Sequence, residues 1–288
     1  MESENADKRC LQHAEKSMAL KKLKIVIWCG TGANQKALAN KISAAFDVVG
    51  IVMDMHSGQK GSRKLHQLPS VLWERFRFRK IYAAWKNLMK YYSQQFPEWP
   101  NTPSLKVPDI NDGQTKTFTE NLHPDLIIVS GTALIRKSLL DIKTPVGIIN
   151  LHTGLSPYVK GGPNCSNWCI ANNTFHLVGN TIMWLNEGID SGNIISTETI
   201  NIQNAADLSE AHLLVMDHAH DLYVRSIRYL SLTEPPYNSV PQKSIDKGQL
   251  YLTRMWTTNK KIQLLKNWRK RKSFVAPLAP QTISLPNH

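Results

Sequence analysis

Asn150 and His152 stand two positions apart where an apolar run, Val146 to Ile149, gives out, and the stretch after them, TGLSPYVKGGP, consists of turn residues. Residues two apart on a strand point to the same face, so an amide and an imidazole would project side by side. In open α/β sheets that place, beyond the carboxyl ends of the strands, is where ligands bind. A second turn, EGIDSG, carries Asp190 between Gly188 and Gly192, after a strand that can lie beside the first. The glycines leave room for a ligand near the backbone. A carboxylate there can orient an imidazole and favour its protonated form. The three types together suit chemistry at a carbonyl: two donors for charge developing on oxygen, and an acid/base group to move a proton. Taken alone, Asn-x-His fits a loop cap equally well.

The elements that must position these groups read as a β-α-β opening followed by more of the same. LKIVIWC is a buried strand ending in the turn GTGAN, Gly30 to Asn34. QKALANKISAAF has helical spacing, and DVVGIVMDM is a second strand. That order implies a parallel sheet with right-handed crossovers, a Rossmann-like open α/β fold flanked by helices. Residues 1–21 read as a solvated tail or marginal helix, and 22–205 as the main domain. An insertion at about 56–106 holds a helix whose apolar face is Trp85, Leu88, Met89 and Tyr92. The helix either caps one edge of the core or forms a lid whose Arg75, Arg77, Arg79 and Lys80 meet phosphates. PDLIIVSGTALI and TPVGIINLH supply two further strands, and NTIMWLNEGIDSGNIISTETI two more around the Asp190 turn. Residues 206–288 read as a long helix, capped by Asp207 or Ser209, and a short basic extension.

Composition bounds the reading without choosing it. The chain has 288 residues and a formal charge of +13, which favours anionic partners or is plain solvated surface. Four cysteines are too few for a disulfide framework in a chain this long. Cys165 and Cys169 fall on one helix face and read as core packing, since two thiols are half a metal site. The remaining histidines are assigned to packing or surface. The charged N-terminus has no signal-like apolar stretch, and no run is long enough to span a bilayer, so a cytoplasmic protein without metal is expected.

PDLIIVSG, GIINLHTGLSPYVKGG and GNTIMWLNEGIDSGNII resemble the catalytic domain of the folate-dependent formyltransferases, well over about 107–200 and more loosely over 22–54. The resemblance implies that Asn150, His152 and Asp190 are the catalytic residues and that N10-formyltetrahydrofolate is the co-substrate. It implies folate contacts from Gly131, Thr132, Ala133, Leu134 and Ile135, and from Asn186, Glu187, Gly188 and Ile189. SGTALI is equally an ordinary strand-to-helix turn. Gly30, Thr31, Gly32 and Asn34 resemble a turn that holds an acceptor's phosphate, against the simpler reading of a tight turn; Thr153 and Lys160 are further acceptor candidates. By elimination the chain is most like the sugar N-formyltransferases: about 58 residues after the long helix are too few for the extra domain of methionyl-tRNA formyltransferase. The expected acceptor is a primary amine on a nucleotide-linked sugar. Glycinamide ribonucleotide and methionyl-tRNA remain alternatives, as do a formyltetrahydrofolate hydrolase and a non-catalytic folate- or nucleotide-binding protein. Nucleic acid is the less favoured partner, tRNA staying open, and a homodimer is compatible with the sequence.

Overall fold

The computed structural model of the chain describes residues 22–55, 68–162 and 164–286. Strand β1 (Lys24–Gly30) is buried along all but its first residue, as a central strand covered on both faces must be. It leads through helix α1 (Ala33–Ser43) to β2 (Asp47–Asp54), and the two strands pair in parallel. Helices α2 (Leu68–Arg77) and α3 (Arg79–Gln95) follow, then β3 (Ser104–Val107), α4 (Gly113–Asn121), β4 (Leu126–Ser130), α5 (Lys137–Leu140) and β5 (Gly147–His152). Beyond these come a short strand β6 (Val159–Gly161), α6 (Cys165–Ala171), the hairpin β7 (Gly179–Trp184) and β8 (Ile194–Thr199), and the long α7 (Leu208–Leu232). The last elements are β9 (Gln249–Tyr251) and α8 (Thr258–Lys270).

The large sheet has the order β3-β2-β1-β4-β5-β7-β8. Its first five strands are parallel, and β7 joins β5 antiparallel. The expected Rossmann-like α/β fold is the fold observed. The strand order reverses direction at β1, so a crevice opens between the carboxyl ends of β1 and β4. A second sheet of two strands pairs β6 with β9 in parallel.

The aromatic, basic segment forms two helices rather than one, broken at Phe78, whose ring is fully buried. The buried face of α3 is Ile81, Ala84, Leu88 and Tyr92; Trp85 is 44% exposed and Met89 half-buried, so the expected stripe is rotated. Tyr92 and Leu88 pack with Ala37 of α1 and Met216 of α7, which makes α3 a covering layer of the core. Arg75 and Arg77 of α2 and Arg79 and Lys80 of α3 lie exposed. The region read as an insertion also contains most of β3, a member of the large sheet. The tail, 1–21, and the segment 56–67 lie outside the described residues.

Helix α7 is no appendage. Ala219, Leu222, Tyr223, Ile227 and Leu230 enter the same core cluster as Ile25, Ile27 and Ile149. Its Asp207 cap accepts from the backbone N–H groups of Ser209 and Glu210. The Tyr223 hydroxyl reaches between β4 and β5: it accepts from Val129 N at 2.9 Å and donates to Ile149 O at 2.9 Å. That bridge sits one residue below Asn150, at the tip of the strand pair.

Candidate active site

Strand β5 places Asn150 half-buried and His152 buried, with only 7% of the imidazole side chain exposed. The turn between β7 and β8 folds back so that Asp190 Oδ2 lies 3.2 Å from His152 Nδ1. The same oxygen accepts the N–H of Gly161 at 2.8 Å. On the other side of the ring, His152 Nε2 is 3.0 Å from Val159 O. A carbonyl can only accept, and the carboxylate also accepts, so both ring nitrogens are met as donors. Burial alone pulls the imidazolium towards lower pKa, but the Asp190 charge and the hydrogen bonds outweigh it and raise His152 to about 10. The site therefore holds a buried imidazolium clamped between a carboxylate and a carbonyl.

Local chain geometry makes this clamp. Asp190 has a left-handed backbone, φ 46°, which turns its carboxylate under the ring. Gly154 must lack a side chain: a Cβ there would lie 2.3 Å from His152 Nε2. Cys165, at the start of α6, puts Sγ 3.6 Å from His152 Nε2 and donates its thiol hydrogen to Gly161 O at 3.3 Å. The sequence reading assigned this cysteine to packing. Its spacing to Cys169 showed that the two share a face, but only the packing of α6 against the end of β5 reveals what Cys165 touches.

The three candidate catalytic residues are not joined in one network. His152 and Asp190 are in contact, whereas the Asn150 side chain makes no hydrogen bond among the described residues, which leaves its amide free to donate to a ligand. Among the expected folate contacts, Gly131 has φ +66° and is exposed, Thr132 and Ala133 are half-buried, and Leu134 is 56% exposed. The Ala133 N–H is taken by Asp54 Oδ2 at 2.7 Å, and the Ile135 side chain is buried in the core with Trp28 and Leu139, so neither that N–H nor that side chain is presented to a ligand. Asn186, Glu187, Gly188 and Ile189 are all exposed; Asn186 Oδ1 closes the turn by accepting from Gly188 N and Ser191 Oγ. Glu187 lies near enough to Lys137, just after the Gly131–Ile135 turn, to help raise the lysine's pKa, after the larger effects of Asp141. Leu134 in the first turn and Ile189 in the second expose apolar side chains.

The Gly-rich turn ends β1. Gly30 is buried, Thr31 exposed, and Gly32 is the N-cap of α1, whose first turn has free N–H groups beside the crevice. Asn34 is turned inward, its amide 3.9 Å from Met216 Sδ, and so is withdrawn from an acceptor site. Thr153 is half-buried beside His152, and Lys160 reaches the Lys247 carbonyl at 3.4 Å. No group of three or more metal-ligating side chains occurs among the described residues.

A family model described as formyl transferase matches residues 24–227. The chain belongs to the formyl transferase family. Methionyl-tRNA formyltransferase of Syntrophus aciditrophicus is 31% identical over 137 residues, covering 47% of this chain and 43% of that protein. The Clostridium beijerinckii methionyl-tRNA formyltransferase is 35% identical over 135 residues, covering 46% and 42%. The chain spans less than half the length of these curated relatives. Among solved structures, a 4-N formyltransferase from Francisella tularensis superposes with a TM-score of 0.55 at 16% identity, covering 85% of this chain and 88% of the other. A phosphoribosylglycinamide formyltransferase from Anaplasma phagocytophilum gives 0.51 at 15% identity, covering 81% and 100%. Both share the fold of the formyl transferase family with this chain. The match ends inside α7, so Gln242, β9 and α8 lie beyond it.

Proposed function

We propose that this chain is a formyltransferase that uses N10-formyltetrahydrofolate and delivers the formyl group to a primary amine, carried on a nucleotide-linked sugar. The observation that carries the reaction is the buried His152–Asp190 pair at 3.2 Å, with the uncommitted amide of Asn150 two residues before it. The co-substrate would supply the formyl carbon, whose bond to the folate nitrogen breaks as the bond to the amine forms. Asn150 donates to the formyl oxygen as charge develops there; loss of one such donor costs about 3 kcal/mol of transition-state stabilisation. His152, as an imidazolium, is a second donor once Nε2 exchanges the Val159 carbonyl for the formyl oxygen. A proton must leave the attacking amine and reach the departing nitrogen. Asp190, already holding His152 Nδ1, is the base nearest that path, directly or through a held water. Leu134 and Ile189 provide the apolar walls for the pterin.

The +13 charge suits a diphosphate-bearing amine, and the N-terminus of α1 opens at the crevice. A neighbouring fold, the Francisella protein, is a 4-N formyltransferase. The 31–35% identity to methionyl-tRNA formyltransferases favours a second reading, with charged tRNA as acceptor. An acceptor panel of nucleotide amino sugars, glycinamide ribonucleotide and charged initiator tRNA, each with N10-formyltetrahydrofolate, decides between them. Formate release without any amine would replace transfer by hydrolysis. No consumption of the folate under any condition would sink the enzymatic reading.

A further inference from the structure

Support for the His152–Asp190 pair comes also from outside the family match. Two parts of the segment between α7 and α8 reach it. Strand β9 pairs with β6, whose Val159 carbonyl and Gly161 N–H contact His152 and Asp190. Gln242, buried to 6% exposure, reaches the Asp190 turn itself. Its Nε2 donates to Asp190 O at 2.8 Å and to Gly192 O at 2.9 Å, so the two hydrogens of one amide span the turn. The same nitrogen lies 3.7 Å from Met183 Sδ. The segment is pinned there by a two-bond bridge between Val240 and Ile194, each N–H to carbonyl distance being 2.8 Å.

We propose that Gln242 is a positioning residue, which locks the left-handed Asp190 turn and thereby keeps the Asp190 carboxylate on His152 Nδ1. The turn needs such a lock. Asp190 is not a glycine, yet it holds φ at 46°, a conformation that persists in a non-glycine residue only when its surroundings impose it. Gly192 follows two residues later and gives the turn no stiffness of its own. Within the turn, Asn186 Oδ1 accepts from Gly188 N and Ser191 Oγ on the exposed side, and Gly161 N–H holds the Asp190 carboxylate from β6, but neither holds the Asp190 and Gly192 carbonyls that Gln242 spans. Among the described residues Gln242 Oε1 is buried without a partner, while both amide hydrogens are engaged. A shorter amide would not span both carbonyls, and an apolar side chain would fill the space without holding them. The groups facing the imidazole are Asp190 from the β7–β8 turn, Cys165 from α6 and the Val159 carbonyl from β6; Gln242 acts on the first of these.

This proposal deepens the formyl-transfer reading and rests on it for its kinetic arm, but its first test needs no substrate. In Gln242→Met, a near-isosteric side chain with no donors, the His152 imidazole is titrated by NMR beside the wild-type protein. The expected result is titration at a lower pH than in wild type, with the fold retained. The kinetic arm expects kcat for formyl transfer to fall about tenfold, KM for the amine to change little, and the alkaline limb of the pH profile to move to lower pH. Should Gln242→Met not fold, Gln242→Asn, which keeps the donors but is one carbon shorter, is titrated in its place with the same expectation. Unchanged His152 titration in a folded variant, whatever its melting temperature, overturns the proposal. A wild-type protein that transfers no formyl group defeats the proposed function alone and leaves the titration result to stand or fall on its own.

Discussion

His152 has no freedom to be an ordinary histidine. Asp190 and Val159 occupy both ring nitrogens, and the Asp190 charge holds its pKa above the usual value. The folded state therefore binds this proton more tightly than the unfolded chain does. Its contribution to stability is complete below about pH 6.5, the ordinary histidine range, and disappears as pH rises through the folded pKa of about 10. Thermal melts from pH 7 upward should show stability falling in wild type and a flatter profile in Asp190→Asn. In turnover, His152→Ala and Asp190→Asn should each lower kcat about 10²- to 10⁴-fold, the range of a positioned acid/base, with the fold intact by circular dichroism. Near-normal kcat in purified His152→Ala would remove the imidazole from the chemistry. The meeting of Asp190 with His152 could be foreseen from the sequence, because His152 ends one strand and Asp190 sits in a glycine-flanked turn after a strand that can lie beside it. The neighbouring Cys165 could not, because a thiol four residues from another reads as core in any helix. Nor could Gln242, a lone polar residue in a patternless stretch, 52 positions from the turn it spans.

The strands and helices around the pair carry their own tests. Gly161 in β6 has φ +82°, and a Cβ there would lie 2.2 Å from the Tyr251 carbonyl of β9. Gly161→Ala should part β6 from β9, cost about 1–3 kcal/mol in denaturant unfolding and loosen both bonds that β6 makes to the pair. Tyr223→Phe strands the Val129 N–H and Ile149 carbonyl between β4 and β5, a buried loss of about 1–3 kcal/mol. Helix α7 also buries His212 and His220, and desolvation lowers them to about 4 and about 3. Their folded pKa values lie below the unfolded one, so stability falls as the pH drops below about 6.5 and the unfolded chain takes up protons that the fold refuses. Acid titration of the melting temperature should show this, with a smaller slope in His220→Phe. Alternation and β-branching made β1, β2, β4 and β5 readable. Strand β3 was missed because four residues reading SLKV have no pattern, and α4 because GQTKTFTEN buries only Thr115 and Thr119. The rotation of α3 was unreadable for a different reason: both candidate faces are aromatic, and only the positions of α1 and α7 choose between them.

Across the molecule, the chain has one dominant electrostatic sign. The +13 charge should draw a phosphorylated acceptor to the crevice and hardly affect a neutral amine. Raising ionic strength should therefore lower kcat/KM for the former and leave the latter nearly unchanged. Equal salt dependence for both would mean the charge is surface alone. The expected overall architecture was legible because a β-α-β opening and four later strands permit few topologies. The part of the chain after α7 was not, since its order comes from partners 83 to 91 residues away: Tyr158 for Gln249, Trp168 for Tyr251 and Asn172 for Lys260.

That late segment has a consequence for how the protein is made. When Leu232 has left the ribosome, all seven strands of the large sheet exist and can pair. Gln242 and Gln249–Tyr251 have not yet been translated past the tunnel. The nascent protein can thus pair its large sheet before Gln242 is present to hold the Asp190 turn.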